Sequence, residues 1–187
     1  MLAVGGFFGS TLTSATAVME ALDAGEATGL LYGVMGATSA LAAITVGRLP
    51  QRFPVAARWL VFAGAMAAVA LVMPHVPSLA GVAVCFALVG VAVGASVVTI
   101  FTIGADAAPA GRLATTMTLL SSGIIIGQGI AVALVGGLAD AAGAMAALTA
   151  VAVPSALGLV LAAVHLVLVR GRREPAPGTA VASAPEE

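Results

Sequence analysis

The sequence predicts an all-α, polytopic membrane protein that crosses the bilayer with six transmembrane helices. Of its 187 residues, 61% are hydrophobic and only 8% are charged, whereas a soluble domain carries about 25% charged residues. The charged residues leave six long uncharged stretches, which are residues 2–19, 27–47, 59–77, 78–105, 113–139 and 141–169. Each is close to the ~20 residues that a helix needs to cross the hydrocarbon core. Because lipid offers the backbone no hydrogen bonds, we expect every span to be helical.

The positions of the arginines predict that both termini are cytoplasmic. The chain contains seven arginines and no lysine, and basic residues are enriched in cytoplasmic loops. With six spans, one side of the membrane receives every arginine: Arg48, Arg52, Arg58, Arg112, Arg170, Arg172 and Arg173. The other side receives Glu20, Asp23, Glu26, His75 and Asp140. Residues 1–173 are thus expected to form one transmembrane domain, and the Pro/Ala-rich residues 174–187 a disordered cytoplasmic tail.

Composition and residue chemistry exclude several classes of function. A net charge of −1 argues against nucleic acid as a partner, because binding it requires a clustered basic surface. Cys85 is the only cysteine, so neither an internal disulfide nor a cysteine-based metal site is expected. We predict no cofactor and no metal. The six uncharged stretches hold no titratable Asp, Glu, Lys or Arg, so a proton relay in the membrane would draw such groups from another six-helix half.

The fifth span carries two different faces. In and just before the segment SSGIIIGQGIAVAL, a helix that advances ~100° per residue aligns Thr118, Ser121 and Gln128 on one stripe. Gly123 and Gly127 fall on another stripe, where small residues let a neighbouring helix approach closely. Polar groups in membranes face a protein interior or a water-filled cavity. The pattern leaves two roles open for Gln128: an interhelical hydrogen bond, or a place in the lining of a substrate cavity.

Other spans supply further candidates of both kinds. Thr11 and Ser14 in the first span and Tyr32 in the second are candidate cavity residues. Hydroxyls of this kind can instead bond carbonyls of their own helix, and a tyrosine near the end of a span can instead anchor at the membrane interface. Two glycine pairs at four-residue spacing predict helix packing: Gly29 with Gly33, and Gly90 with Gly94. Pro154 is expected to kink the last span.

The loop between the second and third spans, VGRLPQRFP, resembles a motif of the major facilitator superfamily. That family carries Gly-x-Leu-x-Asp-Arg-x-Gly-Arg in short cytoplasmic loops, and Gly47, Leu49 and Arg52 match it. Gln51 stands where the family has its aspartate, and Pro54 where it has the second glycine. The charge lock that this aspartate forms between cytoplasmic loops is therefore expected to be missing here or to rest mainly in the other half. Taken alone, the match is equally typical of a short basic turn that sets the topology.

A longer stretch, residues 106–143, is similar to the eleventh helix of the same family with its flanking loops. Ala-Pro-x-x-Arg lies at the start of the helix, and a Ser/Thr stretch and a glycine-rich middle follow it. Gly136, Asp140 and Gly143 lie at the end of the helix. The resemblance implies the carboxy-terminal six-helix half of a transporter of about twelve helices. This half would consist of two three-helix repeats of inverted topology. It also implies a second six-helix half as partner: a missing upstream segment, a partner chain or a second copy.

The function that the resemblance implies is secondary active transport by alternating access, with the lipid bilayer and a small-molecule substrate as partners. An apolar cavity with hydroxyls and one amide suits a modestly polar organic molecule and favours export. A non-transporting membrane component that packs on a partner is the alternative. An enzyme is not expected, because a six-span rhomboid-like serine protease needs a Gly-x-Ser-Gly motif that the sequence lacks. Rich Ala, Gly, Val and Arg usage without lysine is typical of a GC-rich bacterium, whose plasma membrane is the expected location.

Overall fold

The computed structural model describes residues 1–48, 54–76 and 78–171, and these ranges are helical apart from short turns. The helices are α1 (Leu2–Ala21), α2 (Ala27–Gly47), α3 (Val55–Val72), α4 (Leu79–Ala107), α5 (Leu113–Ala142), α6 (Ala144–Ala150) and α7 (Ala152–Gly171), with a 3-10 turn at Met73–His75. Six segments are long and apolar enough to span a membrane, α6 and α7 together forming the sixth. The predicted all-α, six-span fold is thus confirmed, while the predicted tail at 174–187 lies outside the described residues.

Several charged residues that separate the predicted spans lie on the ends of helices and not in the loops. α3 begins at Val55, directly after Pro54, four residues earlier than the predicted span at 59, so Arg58 belongs to its first turn. Glu20 lies in the last turn of α1 and Asp140 in the last turn of α5. A helical backbone therefore holds these two carboxylates at fixed positions.

The last span is broken at Val151, between α6 and α7. Pro154 causes the break, because it has no N–H to donate to the carbonyl of Ala150 and its ring clashes with that carbonyl. The N–H of Val151 bonds Leu148 O at 3.3 Å in a tighter turn. The kink expected from Pro154 thus takes the form of a full interruption, with α7 starting two residues before the proline.

α1 and α4 form the centre of the bundle. In each, 61% of the most apolar window is buried, against 17–28% in the other four spans. Their largest buried side chains, Phe7 and Met19 on α1 and Phe86 and Val89 on α4, are fully enclosed. Lipid tails are as apolar as these side chains, so close packing and not exclusion from water holds the helices together. α2, α3, α5 and α7 are left with broad exposed apolar faces.

The closest helix contacts are made through glycine. α1 crosses α5 so tightly that a Cβ built on Gly9 would lie 2.6 Å from Gln128 O, and one on Gly127 would overlap the carbonyl of Leu2. α2 crosses α4 in the same way, since a Cβ on Gly90 would overlap backbone atoms of α2. Backbones that approach this far gain dispersion contacts along the whole crossing, which is how small residues stabilise helix pairs in lipid.

The helix contacts form a symmetric set. α1 packs on α5 as α4 packs on α2, and α3 packs on α4 as α6 and α7 pack on α1. α1 also contacts α2, as α4 contacts α5, and α3 contacts α7. α5 also contacts α6, and no comparable contact joins α2 to α3 among the described residues. The other pairs are unchanged when the first three spans are exchanged for the last three.

Candidate functional site

Two grooves lie on the face of the bundle where α1 is flanked by α2. The first, here called the apolar groove, has a volume of about 480 Å³ between α1, α2 and α4, and Ser39 is a polar residue of its lining. The second, the acidic groove, has a volume of about 360 Å³ between α1, α2 and α5. Leu12 and Tyr32 line both grooves, so these two residues form a common wall.

Tyr32 ties three helices together at this wall. Its hydroxyl donates a 2.6 Å hydrogen bond to Leu12 O on α1 and lies 2.6 Å from Thr16 Oγ1. Thr16 Oγ1 in turn lies 3.1 Å from Leu12 O. On its other side, the Tyr32 ring stacks on Phe86 of α4 with centroids 6.4 Å apart. The half-buried phenol is therefore held inside the bundle by one hydroxyl and one carbonyl, while its ring remains in the lining of both grooves.

Thr11 and Ser14 lie in the interior of the bundle, away from both grooves. Both side chains are fully buried. Thr11 Oγ1 donates to Phe7 O at 2.8 Å within its own helix. Ser14 Oγ lies 2.7 Å from Ser10 O and 2.8 Å from Ala147 O, so it links α1 to α6. Their contacts match the role in which hydroxyls satisfy helix carbonyls.

The candidates on α5 lie outside both grooves. Thr118 and Ser121 are exposed, and their hydroxyls donate to Ala114 O and Met117 O, each at 3.0 Å. Gln128 is half-buried, and its backbone oxygen faces Gly9 of α1. Whether these polar groups meet a substrate stays a prediction.

The glycines predicted to pack divide into two groups. Gly90, Gly94, Gly123 and Gly127 all lie against backbone or Cβ atoms of a neighbouring helix. Around Gly29 and Gly33 on α2, a Cβ would meet nothing within 4 Å. Packing at the second pair stays a prediction, because it needs a neighbour beyond the described part of this chain. Of the loop motif, Gly47 ends α2 in open space, while Leu49 and Arg52 lie outside the described residues.

The acidic groove contains two carboxylates that sequence reasoning used only as markers of topology or motif. Glu20 of α1 and Asp140 of α5 line it, together with Thr13 and Thr16. A signal for this face exists on α1, because Thr13, Thr16 and Glu20 follow the spacing of one helical stripe. The pairing with Asp140 could not be inferred, since it depends on the crossing of α1 and α5.

Charge divides the bundle into an acidic end and a basic end. The acidic end carries Glu20, Asp23, Glu26 and Asp140, at the end of α1, the following turn and the end of α5. α2 starts at this end and runs for 21 residues, about 30 Å, to the other. The described arginines lie at this other end, where α2 and α7 end and where α3 and α5 begin: Arg48, Arg58, Arg112 and Arg170. His75 lies at the acidic end and Asp106 at the basic end, but the described lining of the acidic groove contains no basic residue.

Six membrane-length apolar helices and an open, groove-bearing face define a multi-pass membrane protein. The chain matches the family model of the Major Facilitator Superfamily over residues 1–186. It therefore belongs to this superfamily of membrane transporters, as its loop and fifth-span patterns predict. No curated protein and no solved structure matched the chain.

Proposed function

We propose that the chain is one half of a secondary active transporter that moves a small organic molecule, by export, across the plasma membrane of a bacterium. The observation that carries this proposal is the open face, where two grooves share the wall formed by Leu12 and Tyr32. The grooves reach from the acidic end towards the middle of the bundle, so together they offer a path along α1. A non-transporting packing component has no need of such a path.

The symmetric helix contacts support an inverted repeat. Exchanging the first three spans for the last three preserves the packed pairs apart from α5 with α6, as expected for two three-helix units of opposite topology. Helix packing in such folds leaves the substrate path at the interface between two six-helix halves. Alternating access then follows from rocking one half against the other around that path.

The surfaces available to a second half are on α2 and α5. Only 22% and 17% of their most apolar windows are buried. Each shows exposed glycines with open space around them, Gly29 and Gly33 on α2 and Gly129 and Gly137 on α5. Small residues are the ones that allow transmembrane helices to approach closely. A second half seated on both helices would close the open face over the two grooves.

The proposal is tested by measuring which faces of the bundle contact water in the membrane. In a Cys85→Ala background, Ser39→Cys in the apolar groove should react with a small, membrane-impermeant methanethiosulfonate, because thiolates form in water. The matched control is Val61→Cys on α3, where the wild-type side chain is 66% exposed in the bundle but should face lipid. Reaction at Ser39→Cys and not at Val61→Cys supports a water-filled path. Inertness at both would instead favour a packing component with its face closed.

A further inference from the structure

The two grooves differ in chemistry although they share a wall. The acidic groove is lined by Glu20 and Asp140 and by the hydroxyls of Thr13 and Thr16. In the apolar groove, the lining away from Leu12 and Tyr32 consists of aliphatic side chains, Phe8, glycines and Ser39. A ligand that occupies both grooves must therefore combine an apolar body with a polar head that tolerates two nearby carboxylates.

The charge of the head is set by the acidic end of the bundle. Both carboxylates are exposed at helix ends, and the described arginines lie at the far end of the same helices or of their neighbours. Clefts lined by one sign of charge and walled by low-dielectric material concentrate ions of the opposite sign. An anionic or zwitterionic head would lack a cationic partner at this place, whereas a cationic head would have two acceptors.

The common wall suits the junction between such a head and body. The Tyr32 ring is held in place by its hydrogen bond to Leu12 O and by its stack on Phe86. A fixed aromatic ring attracts cations through its quadrupole and also packs against apolar groups. The wall therefore favours the same ligand class as the two grooves it joins.

We infer that the joined grooves bind a lipophilic organic cation, with its charged centre between Glu20 and Asp140 and its apolar body in the apolar groove. This inference deepens the proposed function, because it names the substrate class of the same path. It also makes a binding prediction that does not depend on transport. The cation is held by charge complementarity and by burial of its apolar groups, so a neutral or anionic molecule of the same shape binds less well.

The experiment compares two ions of nearly equal shape and opposite charge. Tetraphenylphosphonium and tetraphenylborate are equilibrated by dialysis with the full chain in lipid nanodiscs, and partition into protein-free nanodiscs is subtracted. Glu20→Gln and Asp140→Asn are each expected to weaken tetraphenylphosphonium binding about threefold, and the double variant about tenfold, as suits exposed charge interactions. Asp23→Asn and Glu26→Gln are matched controls, because both lie at the acidic end outside the groove lining and should change nothing.

Each result decides the inference. Selective binding of the phosphonium that requires Glu20 and Asp140 supports it. Equal binding of the borate, unchanged affinity in the double variant, or equal loss in the control variants overturns it. Circular dichroism and thermal melting check that the double variant folds. Thr13→Val removes a hydroxyl from the lining of the same groove but keeps both charges, so its phosphonium binding is measured as a second test of that groove. If Ser39→Cys reacts as described above while the phosphonium does not bind, the transport proposal stands without this substrate class. If the phosphonium binds while Ser39→Cys stays inert, the substrate site stands without the transport path.

Discussion

The hydroxyl of Tyr32 on α2 donates a 2.6 Å hydrogen bond to the backbone carbonyl of Leu12 on α1, and both residues line both grooves. Otherwise α1 and α2 make few contacts, because α1 packs mainly on α5 and α2 mainly on α4. This bond is thus a principal connection between the two helices that flank the grooves. The same tyrosine reaches α4 through its stack on Phe86.

Tyr32→Phe should remove this connection and leave the ring stack. We expect a loss of about 0.6 kcal/mol in stability, the average for an interhelical hydrogen bond in membranes. Thr16 Oγ1 still reaches Leu12 O, so that carbonyl keeps a partner. Reversible unfolding in mixed micelles gives the measurement. Tyr32→Ala, which also removes the stack on Phe86, should cost more. An unchanged stability in Tyr32→Phe would contradict a stabilising role for the hydroxyl.

Gly9→Leu should disrupt the crossing of α1 and α5. A Cβ at this position would lie 2.6 Å from Gln128 O, a backbone atom that cannot swing aside, and overpacking of this kind costs about 1–3 kcal/mol. The control is Gly137→Leu on α5, where a Cβ meets nothing within 4 Å. In the isolated six-helix bundle we expect a large loss of thermal stability from the first variant and little from the second. Equal losses would contradict the crossing described here.

Gly33 should face a second six-helix half in the membrane. A photoreactive benzophenone placed on Gly33→Cys, in the Cys85→Ala background, is expected to cross-link to a transmembrane helix of major-facilitator type. Peptide mass spectrometry identifies that helix whether it comes from the same polypeptide, a partner chain or a second copy. The same group on Val61→Cys, a side chain 66% exposed in the bundle, should find lipid only. Protein cross-links at Val61 and none at Gly33 would contradict this prediction, because they would place the second half on α3 and not on α2.

Gln128 should report directly on its two possible roles. If its side chain lines the substrate path, Gln128→Cys reacts with a small water-soluble thiol reagent in membranes, because polar groups at this depth face a water-filled cavity. If it makes an interhelical hydrogen bond, the cysteine stays inert in every condition. The control is Val61→Cys on α3, where the wild-type side chain is 66% exposed and lipid contact is expected.

Reporter fusions test the orientation. The arginine distribution predicts that a fusion after Arg173 is cytoplasmic and that an insertion at Asp23 is external. Asp23 suits an insertion, because it is exposed in the turn after α1. A cytoplasmic reading at Asp23 would reverse the bundle and move the acidic groove to the inner face of the membrane.

The sequence predicts the spans well because the bilayer leaves few alternatives to long apolar helices. It does not predict where helices break or which small residues touch. Gly29 and Gly33 have the same spacing as Gly90 and Gly94, yet among the described residues only the second pair meets a neighbour. Spacing shows that a helix can be approached closely, and only the assembled bundle shows by what.

Polar residues are harder still to assign from the sequence. Residue type alone does not distinguish Thr11 and Ser14 from Thr13 and Thr16. The first two side chains are buried, whereas the last two line the acidic groove. The rotation of α1 against α5 and α6 decides this, and it depends on contacts far apart in the chain. The predicted spans end before Glu20 and Asp140 because a charge bounds each uncharged stretch, whereas both residues are helical.

The central claim is that one path opens to one side of the membrane at a time, and a double-cysteine variant tests it directly. With Thr13→Cys in the acidic groove and Ser39→Cys in the apolar groove, a bulky thiol reagent is first added from outside and a small impermeant reagent then from the cytoplasmic side. We predict that the external adduct holds the path open outwards and protects Ser39→Cys, while the same adduct on Asp23→Cys does not. Independent reaction of the two cysteines would contradict alternating access.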